Sequence, residues 1–416
     1  MTIYFVAGEV SADNHGAALM RALRESDPGL KFAGRGGPQM RQVAGEQFKD
    51  WIGDAAVLGL WEVIRKYGYF REQFRETLKE ILESKPNAVV LIDYPGFNLR
   101  LAHALRTQSQ RQKIIYYISP QVWAWNRGRI RSMARWIDLV LCIFPFETDL
   151  YNQSGLRAVF VGHPMIERLQ AQKIDVERDP NLIGLFPGSR LREVRKIFPV
   201  MIETARLLLQ ARPTLHFQVA AASEELAGEM NKALAAKTPL PLSRGEGRVR
   251  GATSQNHDAI EITIGQTAEI MQRAWAGIVA SGSATLEVAY FRTPFVLVYK
   301  VAWPTYLAGR LVVNVDYLGM PNLLGDKEVV PEFIQHRAKP GAIAKAVRPL
   351  MEDPRARERM ISEFDSIISK LQGAAVSSPP GRSGDRPSLM AEGGASQKAA
   401  RAIMEEIERS TSKVVD

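Results

Sequence analysis

The sequence predicts an α/β protein built from two doubly wound halves in succession. Three observations carry that expectation. Short runs rich in Val and Ile alternate with segments of helical period, the pattern of parallel strands joined by crossover helices. The alternation pauses across a polar stretch, 162–180, and then restarts. The 416 residues exceed what one hydrophobic core ordinarily holds. Ligands of such sheets lie beyond the carboxyl ends of the strands, so the expected site is the cleft between the halves.

In the first half, Ile3-Tyr4-Phe5-Val6-Ala7 opens the chain as a buried strand, which predicts no signal peptide and a cytoplasmic protein. Further strands are expected at 88–93, 113–118, 138–143 and 158–161, with helices at 69–83, 97–107 and 127–135. The second half restarts with strands at 183–186, 215–220, 260–264, 277–280 and 295–299. Its long helix, 192–210, places Val194, Ile197, Val200, Met201 and Ala205 on one side. Two segments rich in Pro, Gly, Ser and charge, 237–257 and 374–397, read as disordered insertions or linkers. A helical tail follows, 397–409. Its apolar stripe of Ala400, Ile403 and Ile407 must dock on its own chain or on a partner. The expected division is 1–165, 166–350 and a C-terminal segment, 351–416.

Composition narrows the function. No apolar run approaches the roughly 20 residues of a spanning helix. The lone cysteine, Cys142, sits in the apolar run Leu139-Val140-Leu141-Cys142-Ile143 and reads as an inert core residue. A net charge of +9 favours an anionic partner: nucleic acid, a nucleotide or an anionic membrane face. The basic residues are spread along the chain and no nucleic-acid motif is present, which disfavours the first. The six histidines lack metal-ligand spacing, and no Asp-x-Asp, P-loop, GxGxxG or Gly-x-Ser-x-Gly occurs. Neither a metal nor a cofactor is expected.

Three turns at strand ends could carry chemistry. Gly188-Ser189-Arg190 breaks the strand at 183–186 and precedes the long helix. Backbone N–H groups collect at such a turn and suit a phosphate, with Arg190 as a forked cation at its mouth. The plainer reading is a strand–turn–helix with a surface arginine. Ser281-Gly282-Ser283 repeats the arrangement, with Glu287 placed to accept from ribose hydroxyls or to stand in solvent. Asp93 ends the strand Ala88-Val89-Val90-Leu91-Ile92 and faces the crevice, either as a general base whose pKa burial raises or as a cap on the next helix. In the first loop, Gly8-Glu9-Val10-Ser11-Ala12-Asp13, Ser11 or Asp13 is a ready N-cap for the following helix. Gly34-Arg35-Gly36-Gly37-Pro38 reads as a second glycine-rich loop, and His163 as a hinge or ligand-contacting residue. The apolar, basic and aromatic segment 57–71 reads as a buried helix or as a patch that dips into lipid.

Several strings together resemble the lipid-A-disaccharide synthase family of inverting glycosyltransferases. They are Ala7-Gly8-Glu9-x-Ser11-x-Asp13, Gly36-Gly37-Pro38-x-Met40, Asp93-x-Pro95-x-Phe97-Asn98, Tyr117-Ile118-Ser119-Pro120-x-Val122-Trp123-Ala124-Trp125 and Phe144-Pro145-Phe146-Glu147. The second half adds Phe160-Val161-Gly162-His163-Pro164, Pro187-Gly188-Ser189-Arg190-x-x-Glu193, Ser281-Gly282-Ser283-x-x-Leu286-Glu287 and Leu318-x-x-Pro321-Asn322-Leu323-Leu324. They run in family order over nearly the whole chain.

The resemblance implies a GT-B architecture, two Rossmann-like doubly wound domains facing a cleft. It implies transfer of 2,3-diacylglucosamine from its UDP derivative to 2,3-diacylglucosamine 1-phosphate, with inversion and without metal, at the inner face of the inner membrane. Asp93 then matches the family's essential aspartate and Arg190 its essential arginine. Gly188, Ser189, Glu193, Ser281, Gly282, Ser283, Glu287 and Asn322 fall on the donor side. Glu9, Ser11 and Asp13 fall on the acceptor side, with Leu58, Leu60, Trp61, Ile64, Tyr67 and Phe70 toward acyl chains and membrane. The family also exchanges C-terminal segments within a dimer. Ala12 stands where the family has glycine, and Gly96 where many members carry a second aspartate. Ala12 is tolerable only at negative φ. The rival activity is a UDP-sugar epimerase of the same fold.

Overall fold

The computed structural model describes residues 1–55, 67–108, 112–122, 128–237, 259–303, 316–373 and 393–412. The chain forms two compact units, one of Met1–Glu167 with Lys370–Asp416 and the other of Arg168–Ser369.

The first unit is a parallel seven-stranded sheet: β1 (Thr2–Ala7), β2 (Lys31–Gly36), β3 (Lys49–Asp50), β4 (Ala88–Ile92), β5 (Lys113–Tyr117), β6 (Leu139–Cys142) and β7 (Ala158–Phe160). Their spatial order is β3-β2-β1-β4-β5-β6-β7, so the direction of winding reverses between β1 and β4. Ala88–Ile92 is buried at every position, which is why it reads as an unbroken apolar run rather than an alternating one. One face packs under the helix Val10–Ser26 and the other under the helices Tyr67–Ser84, Pro95–Gln108, Gly128–Trp136 and Pro145–Gln153.

The second unit repeats the plan with six parallel strands: β8 (Asp179–Phe186), β9 (His216–Ala221), β10 (Ile260–Ile264), β11 (Ala274–Ala280), β12 (Phe295–Tyr299) and β13 (Glu332–Ile334). The order is β10-β9-β8-β11-β12-β13, with the reversal between β8 and β11. The helix Leu191–Ala211 covers one face through Val194, Ile197, Met201 and Ala205, all at most 2% exposed.

Two expectations are corrected. Gly34-Arg35-Gly36 is not a loop but the second half of β2; the glycines and a wholly buried arginine disguise the strand. Arg35 survives burial because Glu80 lies 2.9 Å away and Gln73 Oε1 accepts at 2.5 Å. Glu80 also accepts from Tyr4 Oη at 2.6 Å, so the charge is shared between β1, β2 and the helix Tyr67–Ser84. The terminal helix spans Ala395–Ser412, so it takes in the last residues assigned to the linker. Its apolar stripe docks on its own chain: Ala399, Ala400, Ile403 and Ile407 join the core cluster of Leu19, Met20 and Leu23. Glu406, 5% exposed, pairs there with Lys113 at 2.9 Å and with Arg157. Residues 238–257 and 374–392 lie outside the described residues. Among the described residues no helix is long and apolar enough to cross a membrane.

Candidate active site

Each unit brings the sequence-selected residues to its own switch point. In the first, Ala7 of β1 is level with Ile92 of β4, so Gly8 and Glu9 emerge beside Asp93 and Tyr94. The Tyr94 ring lies on Gly8, where a Cβ would come within 2.4 Å of it. Asp93 and Tyr94 both hold left-handed backbones, φ 47° and 50°. Such strain costs about 1–3 kcal/mol per residue and persists only where surroundings fix it. Here they do: Asp93 N–H donates to Tyr117 O at 3.0 Å, while Asp93 O accepts from Asn98 Nδ2 at 2.8 Å and Tyr116 Oη at 2.5 Å. The backbone is pinned and the carboxylate is left for other work. Burial, reinforced by the neighbouring Glu9 carboxylate and opposed by the Tyr94 N–H, lifts the Asp93 pKa to about 6. Trp51 and Phe97 pack on Tyr94 and on each other, and Phe74 packs on Phe97, with ring centroids 5.2–6.2 Å apart. Beyond Trp51 opens a pocket of about 430 Å³ whose walls include Arg41, Lys49, Tyr69, Gln73 and Glu76.

The first loop differs from expectation in its capping. Glu9, not Ser11 or Asp13, is the N-cap residue of the helix Val10–Ser26, and its side chain makes no cap bond. Asp13 is 2% exposed and caps a different helix, Pro38–Ala44, accepting from the N–H groups of Gly37, Gln39 and Met40 at 2.9–3.0 Å. Ser11 is exposed. Leu58, Leu60, Trp61 and Ile64 lie outside the described residues, as do Trp123 and Trp125. Tyr67 opens the helix Tyr67–Ser84, and Phe70 packs partly buried on the first unit's core.

In the second unit, β8 runs into Gly188, whose φ of +106° and contact with Glu193 exclude a side chain: a Cβ would lie 2.6 Å from Glu193 Oε2. Arg190 is the N-cap residue of the 21-residue helix Leu191–Ala211. Its side chain is 73% exposed and meets Glu193 Oε1 at 3.2 Å. The N-terminus of this long helix, with no side-chain cap bond from Arg190 and an exposed guanidinium beside it, is an arrangement that suits an anion. The companion turn after β11 opens a helix of only seven residues, Ala284–Tyr290, with Ser283 as N-cap. Gly282 O accepts from Thr285 Oγ1 at 2.7 Å, and Ser281 Oγ reaches Leu318 O at 3.3 Å. Glu287 is held by Arg168 at 2.7 Å. Asn322 is wholly buried and already engaged, giving to Val330 O and Glu332 Oε1 and accepting from the N–H groups of Val329 and Val330, all at 2.8–2.9 Å. Sequence reasoning missed Arg168, Tyr116 and Glu332, which carry no local motif.

The profile of the lipid-A-disaccharide synthetase family matches residues 3–378. The chain belongs to the lipid-A-disaccharide synthase family. The lipid-A-disaccharide synthase of Syntrophus aciditrophicus (strain SB) is 36% identical over 377 residues, 89% of this chain and 93% of that protein. That of Geobacter sulfurreducens is 35% identical over 379 residues, 89% and 92% respectively. Membership makes the chain an enzyme of the glycosyltransferase class. Among solved structures, the UDP-GlcNAc 2-epimerase from Neisseria meningitidis, bound to UDP-GlcNAc, superposes with a TM-score of 0.54 at 11% identity, over 98% of this chain and all of that one. The calicheamicin glycosyltransferase gives 0.53 at 14% identity, over 98% of each. These likenesses place the fold as GT-B, two Rossmann-like domains, and the epimerase likeness reaches no further than fold.

Two departures from the lipid-A-disaccharide synthase pattern are accommodated. Ala12 lies inside the helix Val10–Ser26, outside the positive-φ residues, so glycine is not required. Gly96 is exposed with open space where a side chain would stand, which leaves Asp93 as the carboxylate of that loop.

Proposed function

We propose that the chain joins UDP-2,3-diacylglucosamine to 2,3-diacylglucosamine 1-phosphate, giving the β-1,6-linked disaccharide 1-phosphate and UDP. The acceptor 6-hydroxyl oxygen attacks the donor's C1 as the C1–O bond to UDP breaks on the opposite face. The hydroxyl proton passes to Asp93 and the bonding pair leaves with UDP. The observation that supports this most is Asp93 itself, a strained, half-buried carboxylate poised at about pH 6.

Arg190 and the N–H groups at Gly188, Ser189 and the start of Leu191–Ala211 take up the charge that develops on UDP, a role a metal fills elsewhere. Ser281, Gly282, Ser283, Glu193 and Glu287 line the donor side. Asn322, with its polar groups already spoken for, shapes that side rather than touching the nucleoside. Glu9 and the pocket beyond Trp51 belong to the acceptor side. The segment 57–71 meets acyl chains and the inner face of the inner membrane. Exchange of the Ala395–Ser412 helix between two copies, reached through 374–392, would give a homodimer.

The test is a product assay in detergent with EDTA. Disaccharide 1-phosphate and UDP should form together, and Asp93→Asn and Arg190→Ala should each abolish them. Folded protein that releases no disaccharide would overturn the reading. UDP-GlcNAc 2-epimerisation in its place would favour the rival activity.

A further inference from the structure

We infer that Glu332, on the edge strand β13, and Gln335, the first residue beyond it, are positioning residues that hold two loops of the donor site in place. The inference rests on the proposed donor site. The loops follow β12 and precede the helix Met320–Gly325.

Gln335 extends the β12–β13 ladder with its side chain. The ladder proper ends where Tyr299 meets Ile334. Two residues on, Val301 N–H donates to Gln335 Oε1 at 2.9 Å, and Gln335 Nε2 donates to Val301 O at 3.2 Å. The primary amide thus stands in for a peptide group of a longer strand. It does so from a costly backbone, because Gln335 is 4% exposed with φ 50°. The two hydrogen bonds to Val301 offset part of that backbone cost.

Glu332 does the same for the other loop. Its Oε1 accepts from Gly319 N–H at 2.8 Å and Asn322 Nδ2 at 2.9 Å, and its Oε2 from Leu318 N–H at 3.2 Å. Leu318 O in turn accepts from Ser281 Oγ. One carboxylate therefore ties the 318–322 loop to β13 and, through Leu318, to the Ser281 turn. The 299–301 loop reaches the same edge. Tyr299 is raised in pKa by burial and feels the charges of Glu193 and Arg190. Neither Glu332 nor Gln335 needs to touch the nucleotide to set where these loops stand.

The experiment has two parts. Hydrogen exchange on the unaltered protein should find the N–H groups of Val301, Leu318 and Gly319 protected; free exchange at these positions would overturn the inference. UDP titration and steady-state kinetics then compare the parent with Gln335→Glu, which sets a carboxylate oxygen against Val301 O, and Glu332→Gln, which sets an amide against Leu318 N–H. Each should weaken UDP binding about tenfold, the equivalent of one lost buried hydrogen bond. Each should raise the donor KM with little change in kcat or in the acceptor KM. Folded variants with a lowered Tm but unchanged UDP affinity and donor KM would reduce both residues to ordinary fold contacts and overturn the inference. A parent chain that binds no UDP would overturn the donor-site reading first, and this inference with it.

Discussion

Asp93 creates two opposing pH dependences. As the base it must be ionised, so kcat/KM should climb with pH through about 6 and level off above. Glu9→Gln removes the neighbouring negative charge and should move that rise to lower pH; an unmoved profile would mean the Glu9 carboxylate does not act on Asp93. Folding works the other way. The folded-state pKa lies above the ordinary 3.8, so the native state holds the proton more tightly and stability falls as pH rises from about 4 through 6. Asp93→Asn is neutral at every pH. It should lose about a thousandfold or more in kcat while gaining on the order of 2 kcal/mol in stability above pH 6, a gain that vanishes below about pH 4. Thermal unfolding of both proteins across that range measures it. A variant equally stable with the parent at pH 8 would refute the claim that burial of the ionised group is what lifts the pKa.

At the scale of elements, the terminal helix Ala395–Ser412 is the piece whose attachment is most exposed to a single change. Its seam combines apolar burial with Glu406, set between Lys113 and Arg157, whose side chains are 20% and 29% exposed. Glu406→Ala leaves two part-buried cations facing each other and should cost about 2 kcal/mol, less than a fully buried pair because water reaches both partners. Denaturant unfolding gives the size. Early proteolysis between the helix and the rest of the first unit would identify the released element. The same helix marks what the chain discloses on reading. Its stripe of Ala400, Ile403 and Ile407 announces a buried face, but nothing local names the partner, since Glu406 and Lys113 are far apart in the chain. Strands with pure apolar runs, such as β4 and β12, are legible because both faces are covered. β2 is hidden by Arg35, whose partner Glu80 comes from another element, and β13 is too short for any period to register. Asp93 and Arg190 are selected on strand-end position and residue type alone, and the fold sets Asp93 just beyond β4 and Arg190 at the start of the helix Leu191–Ala211. The helix that Asp13 caps and the partners that hold Asn322 are not legible, because both depend on which backbone amides the fold brings to them.

At the scale of the whole molecule, the two units use one plan: a parallel sheet that reverses between its first and fourth strands, with the candidate site residues of each near that reversal. The proposed substrates are lipids, yet no described helix is long and apolar enough to span a bilayer, and the chain carries a net charge of +9. On the proposed reading, attachment would combine electrostatic attraction to anionic headgroups with shallow insertion of the 57–71 segment. The two parts respond differently to salt. Each basic residue near an anionic surface contributes about 1 kcal/mol, and that contribution fades as the Debye length shrinks from about 10 Å at 0.1 M to about 3 Å at 1 M. Burial of apolar side chains is indifferent to screening. Cosedimentation with vesicles containing anionic lipid should therefore fall with salt to a residual level, and Trp61→Ser with Ile64→Ser should remove that residue while leaving the salt-dependent part. If the same pair of substitutions also spares turnover of short-chain substrates that need no bilayer, the segment serves attachment and not catalysis. If turnover falls with it, the segment binds the acyl chains of the reacting sugars, and membrane and acceptor share one surface.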